Sequence, residues 1–343
     1  MRRLQSPTRI SLRFFAALLG LGLGLLGYLV FRIGPGVVWK QVQTVGWGLG
    51  LIIVLGGLSQ LIKTWAWRQT FRCDISGLSW SRSLGAQLAS DAAGQLGVAG
   101  KLLGEGIRVS LSSSAVPLAS GISACAIDGG LHILTAAGIT VSGIAATLVI
   151  VPLSGVWRVY ASLLSGLLVA LVLLSAVAVA RRWQLIGTVA RTIGRLPWLH
   201  DWINSKQSTI DSVEDNLLTF YGEAPAAFWA SLTLNVLWHA LAVLEVYLIV
   251  RFMGAGIAVA GALVVEGLTK VINLVGALNP GNIGTYEGGN LLIAKMFGVT
   301  GTAGLTLALC RRARAVFWAG VGVMSMIVMK GSDWAEQNGN EGA

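Results

Sequence analysis

The chain has 343 residues, of which 55% are hydrophobic and only 12% are charged. Soluble domains carry about a quarter charged residues, so this composition excludes a water-soluble globule, and three cysteines beside apolar stretches exclude a disulfide framework. The formal net charge of +10 would suggest nucleic acid in a soluble protein. Here the basic residues lie between apolar runs, a position that predicts orientation signals and contacts with anionic lipids. We therefore predict an integral membrane protein that binds no nucleic acid.

Seven mostly apolar stretches approach or reach the roughly 20 residues that a helix needs to cross a bilayer. In chain order they lie at 14–31, 46–62, 131–151, 161–180, 226–250, 257–277 and 315–329. Alternating strands of the kind found in outer-membrane barrels do not occur. The sequence therefore predicts an all-α polytopic membrane protein with about seven transmembrane helices.

The basic residues between these stretches predict the orientation of the chain. Lysines and arginines that precede the first stretch, follow the second and follow the fourth far outnumber those on the opposite side. Cytoplasmic connections carry such an excess, so we expect a cytoplasmic N-terminus. No small-residue cleavage site follows the first stretch, and we expect a retained helix rather than a signal peptide.

The longest polar segment, 181–225, divides the chain. Its interleaved tryptophans predict an amphipathic helix at the cytoplasmic interface. It separates a first half, about 1–180, from a second half, about 226–330, within a single membrane domain that spans 1–330. The polar residues 331–343 predict a disordered tail.

Two segments, 83–111 and 266–295, combine apolar residues with glycine and charge. Backbone polar groups cannot stay unpaired in hydrocarbon, so a broken helix needs protein or a water-filled cavity around it. The residues of the second segment that favour tight turns or close backbone approach are Asn279, Pro280, Gly281, Gly284, Gly288 and Gly289. We predict that each segment forms a re-entrant, broken helical hairpin.

The two broken segments also predict an internal repeat. Each contains a Glu-Gly step, at Glu105 and at Glu287, and each is followed by a helix rich in small residues. Paired discontinuities of this kind point to a transport site at the interface between repeats. A count of crossings favours parallel repeats, and an inverted arrangement stays open because one misjudged crossing reverses the count.

Ionisable residues within these segments cost about 2.5–3.5 kcal/mol each when they face lipid, so we expect them to pair or to line a cavity. Glu266 and Lys270 are four residues apart on one helix face, and Asn273 continues that face one turn on. This group is either a structural ion pair or the polar wall of a central cavity. Glu105 and Arg108, three residues apart, are expected to pair in the same way.

Three arginines close together, Arg311, Arg312 and Arg314, precede the last predicted span. We call them the arginine cluster. They are either a positive-inside anchor or bidentate partners for a phosphate headgroup. Asp128 is expected to pair with one of them.

The remaining ionisable residues do not indicate a catalytic or metal-binding site. Glu245 and the isolated histidines His132, His200 and His239 receive no predicted role. The sequence has no HExxH, CxxC or P-loop pattern. We therefore predict no metal, no cofactor and no ATP hydrolysis.

The second broken segment and the arginine cluster resemble the C-terminal signature of the lysylphosphatidylglycerol synthase transmembrane, or flippase-like, family. The matching residues are Pro280, Gly281, Ile283, Gly284, Glu287, Gly288, Gly289, Arg311, Arg312 and Arg314. In the first half, Gly104, Arg108, Val109 and Leu111 resemble an element of the same family. The pattern looks most like the branch associated with hopanoid biosynthesis.

This resemblance implies a multi-pass protein of the bacterial inner membrane, whose relatives move charged phospholipids between leaflets. Bifunctional relatives add a soluble aminoacyltransferase domain. Because the sequence ends shortly after the last predicted span, we expect no such domain and no enzymatic activity. The expected partners are membrane lipids, either an anionic phospholipid or a hopanoid-type lipid, together with lipid-biosynthesis proteins.

We therefore predict that the protein translocates, or helps to export, a phospholipid or hopanoid-related lipid, with Arg108 and the arginine cluster as phosphate partners. One alternative is a non-catalytic assembly partner in a lipid-biosynthesis complex. Another is a membrane enzyme that uses Glu105, Asp128 and Glu287 as acid and base groups.

Overall fold

A computed structural model describes residues 31, 35–95, 98–152, 154–193, 195, 200–276, 282, 285–296 and 301–340. These residues form twelve α-helices and no strand, which confirms the all-α prediction. The helices are α1 (Pro35–Val45), α2 (Gly48–Gln69), α3 (Trp80–Gly94), α4 (Val98–Ser112), α5 (Leu118–Ile150), α6 (Gly155–Ala180), α7 (Leu185–Ile193), α8 (His200–Glu223), α9 (Pro225–Phe252), α10 (Val259–Val275), α11 (Thr285–Met296) and α12 (Gly301–Asn340).

Five described helices are long and apolar enough to cross a membrane: α2, α5, α6, α9 and, over Ala303–Met329, α12. They confirm a multi-pass membrane protein and correspond to five of the seven predicted spans. The first predicted span, 14–31, lies outside the described residues except for Phe31. The sixth corresponds to α10, whose 17 residues extend about 26 Å, less than the roughly 30 Å of a hydrocarbon core.

The first broken segment folds as a hairpin of α3 and α4. Near its open end, the Arg82 guanidinium Nε donates to the Leu111 carbonyl at 2.9 Å, so α3 begins where α4 ends. Each helix has 15 residues, or about 22 Å, and is too short to cross a bilayer. Because α3 begins where α4 ends, both ends of the hairpin lie close together.

The second broken segment consists of α10 and α11. The predicted turn residues Asn279, Pro280, Gly281 and Gly284 lie outside the described residues. Gly288 and Gly289, predicted as part of the turn region, are helical residues of α11. Gly289 faces the Ile272 side chain of α10 so closely that a Cβ would collide with it.

The long helices α2 and α9 are antiparallel neighbours. At one end of the pair, the Ser231 hydroxyl at the start of α9 donates to the Ala66 carbonyl near the end of α2, at 3.1 Å. At the other end, Gly48 at the start of α2 contacts Phe252 at the end of α9. These two helices are the first members of the two repeats.

The repeats, α2 to α5 and α9 to α12, have the same element order: a long helix, two short helices around a break, and a long helix. The first short helix of each packs against the last helix of the other. Gly322 of α12 meets the Leu88 backbone of α3, and Gly143 of α5 meets Gly267 of α10. The helices in equivalent positions, such as α2 and α9, run antiparallel.

The polar segment between the repeats forms α7 and α8. Phe220 of α8 packs against Ile127 and Leu131 of α5, and the buried Glu214 carboxylate accepts a hydrogen bond from the Gly187 amide at 3.1 Å. The segment is therefore helical and packs against the membrane domain. The last helix, α12, includes residues 331–340, a stretch for which the sequence predicts a disordered tail.

A charged cavity between the two repeats

One cavity of about 430 Å³ lies between the repeats. Side chains from α2, α3, α4 and α5 line it on one side, and side chains from α9, α10 and α12 on the other. Gly94 and Gln95, at the break between α3 and α4, reach the cavity, and so does Asn282, between α10 and α11. Both broken segments thus open into the same space.

All the predicted polar site residues except Glu287 line this cavity. They are Glu105, Arg108, Asp128, Glu266, Lys270, Asn273, Arg311, Arg312 and Arg314. Glu287 is buried beside the cavity, where its carboxylate pairs with Arg312. The structure therefore brings together residues that are up to 209 positions apart, between Glu105 and Arg314.

Arg108 is the centre of the hydrogen-bond network on the first repeat's side of the cavity. Its guanidinium donates to Gln87 Oε1 at 2.8 Å, to Asp128 Oδ2 at 2.9 Å and to Glu105 Oε2 at 2.6 Å, and it lies 4.8 Å from the centroid of the Trp67 ring. The predicted pair of Glu105 and Arg108 is confirmed. The prediction that Asp128 pairs with the arginine cluster is wrong, because the adjacent packing of α4 and α5 places Arg108 next to it.

Two buried carboxylates, Glu245 and Glu266, pair with the cationic side chains on the second repeat's side of the cavity. Glu266 accepts from Lys270 at 2.9 Å, which confirms that predicted pair, and from Arg311 at 2.5 Å. Glu245 pairs with Arg314 at 2.7 Å and with Arg311 at 3.3 Å. Arg311 is only 8% exposed, so it is not the exposed positive-inside anchor that the sequence left open.

Asn282, in the break between α10 and α11, forms a further hydrogen-bonded group in the cavity wall. The Asn282 side-chain amide donates to Asn273 Oδ1 at 2.7 Å, and Arg312 donates to the Asn282 carbonyl at 3.3 Å. Arg312 also pairs with Glu287 and lies 5.6 Å from the Tyr286 ring centroid. Arg312 therefore ties α12 to Asn282 within the break and to α11 after it.

Sequence reasoning missed Lys63 and Asp91, which form an ion pair at 2.8 Å in the cavity wall. Lys63 was counted as a cytoplasmic basic residue because the predicted span ended at 62. In the structure α2 continues to Gln69 and carries Lys63 into the wall. Asp91 lies inside the first broken segment, and the cost of a carboxylate there was a signal that could have identified it.

Glu245 was also missed, although it is a carboxylate within an apolar span and is 1% exposed. Such a group needs a partner at that depth, and this need was the available signal. Its partners, Arg311 and Arg314, were assigned to other roles, and helix spacing alone could not connect α9 with α12.

The Trp238 ring lies close to two lysine ammonium groups and a histidine ring. The ammonium groups of Lys63 and Lys270 lie 5.0 and 4.9 Å from its centroid, and the His132 ring lies 4.8 Å away. His132 in turn stacks on His239 at 5.4 Å. These residues form an aromatic and basic wall that the sequence analysis did not predict.

The cavity combines seven lysines and arginines with five carboxylates. Charges in a low-dielectric interior interact strongly and require partners or water, so the cavity suits a polar or charged occupant. Among the residues that the structure describes, no group of three or more His, Cys, Asp and Glu side chains could hold a metal ion.

A comparison with known families finds one match. The family described as Lysylphosphatidylglycerol synthase TM region matches residues 14–322 of the chain. No curated protein and no solved structure matches it. The matched region includes both repeats up to Gly322 and every residue that lines the cavity.

Proposed function

The chain belongs to the lysylphosphatidylglycerol synthase TM region family, and on that premise we propose that it translocates a lipid across a bacterial inner membrane. The single observation that supports this function most is the charged cavity, because both broken segments reach it between helices long enough to span a membrane. Polar residues at that depth are typical of transport pathways.

In the proposed mechanism, the polar headgroup enters the cavity while the acyl chains stay in the surrounding lipid. The short hairpin of α3 and α4 and the helices α10 and α11 act as re-entrant elements. The antiparallel course of equivalent helices supports this mechanism, since rocking one repeat against the other exposes a central site to either side in turn. With a cytoplasmic N-terminus, the two sides would be the cytoplasm and the periplasm.

The proposed function includes no chemical step. Glu105 and Asp128 both accept hydrogen bonds from Arg108, and Glu287 pairs with Arg312. All three candidate acid and base groups are thus engaged in ion pairs within the protein. The cargo is either an anionic phospholipid or the hopanoid-type lipid that the motif resemblance implies.

Blocking the cavity tests this proposal. Gly129 lines the cavity with no atom within 4 Å of a Cβ built there, so Gly129→Phe is expected to fill the space without disturbing the helix. The neighbouring Gly130 is exposed, does not line the cavity and has equally open surroundings. Gly130→Phe is therefore the matched control.

The measurement is the leaflet distribution of fluorescent phosphatidylglycerol, and of a fluorescent hopanoid, in proteoliposomes. We expect the unsubstituted protein and Gly130→Phe to move at least one of these lipids, and Gly129→Phe to reduce the rate at least tenfold. Equal leaflet distributions with and without protein, under every ion gradient applied, would contradict translocation. Full cellular function of Gly129→Phe would instead favour the assembly-partner alternative.

A further inference from the structure

The arginines of the cavity are already occupied by carboxylates. The pairs are Arg108 with Glu105 and Asp128, Arg311 with Glu245 and Glu266, Arg312 with Glu287, and Arg314 with Glu245. A phosphate bound at any of them would have to displace a carboxylate of the protein. The arginines are therefore poor candidates for the group that holds an anionic cargo.

Among the lysines of the cavity, Lys63 and Lys270 also pair with carboxylates, whereas Lys101 does not. Lys101 is exposed and has no ion pair within the described part of the chain. Lys270 has Glu266 as its partner, but Glu266 is shared with Arg311. Lys63 pairs with Asp91 and is one-quarter exposed. Lys101 is thus the cation of this group without an ion pair among the described residues, and all three lysine side chains remain partly accessible.

The three lysines converge on one place. Lys63 and Lys270 both lie about 5 Å from the centroid of the Trp238 ring, so their ammonium groups cannot be farther apart than the sum of these two distances. Lys101 lines the same cavity as these two lysines and Trp238 and interacts electrostatically with Lys63, and also with the carboxylates of Asp91 and Glu105. His132, in contact with the Trp238 ring, interacts electrostatically with all three lysines.

We propose that Lys63, Lys101 and Lys270 form an anion site that binds the phosphate of the cargo, with Trp238 as its floor. This inference rests on the proposed function, since it takes the cavity as the path of the headgroup. An ammonium group offers three donors and a compact charge that suits a phosphate oxygen. Phosphate binding is thereby assigned to these lysines instead of Arg108 and the arginine cluster.

The first test is a binding measurement on the purified full chain in a non-ionic detergent. The probes are radiolabelled short-chain phosphatidylglycerol, inorganic phosphate, and a diacylglycerol with the same acyl chains. We expect phosphatidylglycerol to bind, the diacylglycerol to bind at least tenfold more weakly, and added salt to weaken the binding of the charged probes. If inorganic phosphate alone binds, the source of the anion is free phosphate rather than a lipid headgroup, and the anion site stands.

Lys101→Gln is the decisive substitution, because no ion pair is lost with it. We expect it to weaken binding of the phosphate-bearing probe about tenfold, as for loss of a hydrogen bond to a charged group. The control is Lys295→Gln, which changes an exposed lysine in the last turn of α11, away from the cavity. We expect this control to leave binding unchanged.

The double variant Lys63→Gln/Asp91→Asn removes an ion pair as a unit and leaves no unpaired charge behind. It should weaken binding by a similar factor. Unaltered binding in both Lys101→Gln and the double variant, or equal binding of the diacylglycerol, would overturn the anion site. Lysine-dependent binding without any transport in proteoliposomes would instead leave the anion site standing and count against translocation.

Discussion

Charged side chains in the cavity interact strongly with one another because they are buried and because one carboxylate can pair with two cations. Glu245 is 1% exposed and pairs with both Arg311 and Arg314. Removing one partner of a buried ion pair leaves charge without compensation and costs about 3–5 kcal/mol. An exposed pair contributes about 0–1 kcal/mol. The position of an ion pair, more than its length, therefore decides its effect on stability.

Glu245→Gln is accordingly expected to destabilise the protein strongly, since Arg314 loses its carboxylate and Arg311 keeps only Glu266. The measurement is the midpoint of thermal unfolding in detergent, which should fall by several degrees. Glu223→Gln is the control, because Glu223 pairs with Arg72 at a side chain that is 55% exposed. Similar losses for the two variants would contradict the buried network.

The helices of this protein pack through glycine, as membrane helices do when their backbones approach closely. Between α5 and α10, a Cβ at Gly143 would lie 2.8 Å from Gly267 Cα and 3.1 Å from the Leu263 carbonyl oxygen. These are backbone atoms, so neither helix can relieve the contact by changing a side-chain rotamer. This pair of helices also joins the first repeat to the second.

Gly143→Ala should therefore push α5 and α10 apart and lower the free energy of unfolding by about 1–3 kcal/mol, the usual cost of overpacking. Gly138→Ala, in the same helix, is the matched control, since a Cβ there meets no atom within 4 Å. It should be neutral or stabilise the helix by about 0.5–1 kcal/mol. The measurement is thermal unfolding of both variants in the same detergent. An unchanged stability of Gly143→Ala would contradict the close approach of α5 and α10.

At the scale of the whole molecule, helices in equivalent positions of the two repeats run antiparallel, as α2 and α9 do. The hairpin of α3 and α4 ends where α2 ends, whereas α11 ends near the opposite end of the helix bundle. Gly304, at the start of α12, contacts Asn290 and Ala294 of α11, and Met329, farther along α12, contacts Gly85 near the start of α3. Equivalent ends of the two broken segments therefore lie at opposite ends of the helix bundle.

Single cysteines at Ser113 and Met296, the equivalent hairpin ends, should consequently react with a membrane-impermeant maleimide from opposite sides. Both positions are exposed. The experiment needs a Cys73→Ser background, because Cys73 is partly exposed, whereas Cys125 and Cys310 are buried. Labelling of both cysteines from one side would be the result expected of parallel repeats and would contradict the inverted arrangement.

Some ion pairs of the cavity could be predicted from the spacing of residues along one helix. Glu105 with Arg108 and Glu266 with Lys270 follow from helical spacing, which places residues three or four apart on one face. Glu245 and Lys63 could not be placed in this way. Their positions depend on which helices are neighbours and on the length of α2, and neither is encoded within a few residues.

The sequence by itself determined the membrane class, the helical fold, the two breaks and most of the ionisable residues of the cavity, because hydropathy, helix periodicity and glycine act over short stretches of chain. Only the tertiary structure decided that Asp128 pairs with Arg108, that Glu245 joins α9 to α12, and that α2 and α9 run antiparallel. These features arise from close packing between helices that are distant in the chain, and no local pattern specifies such packing.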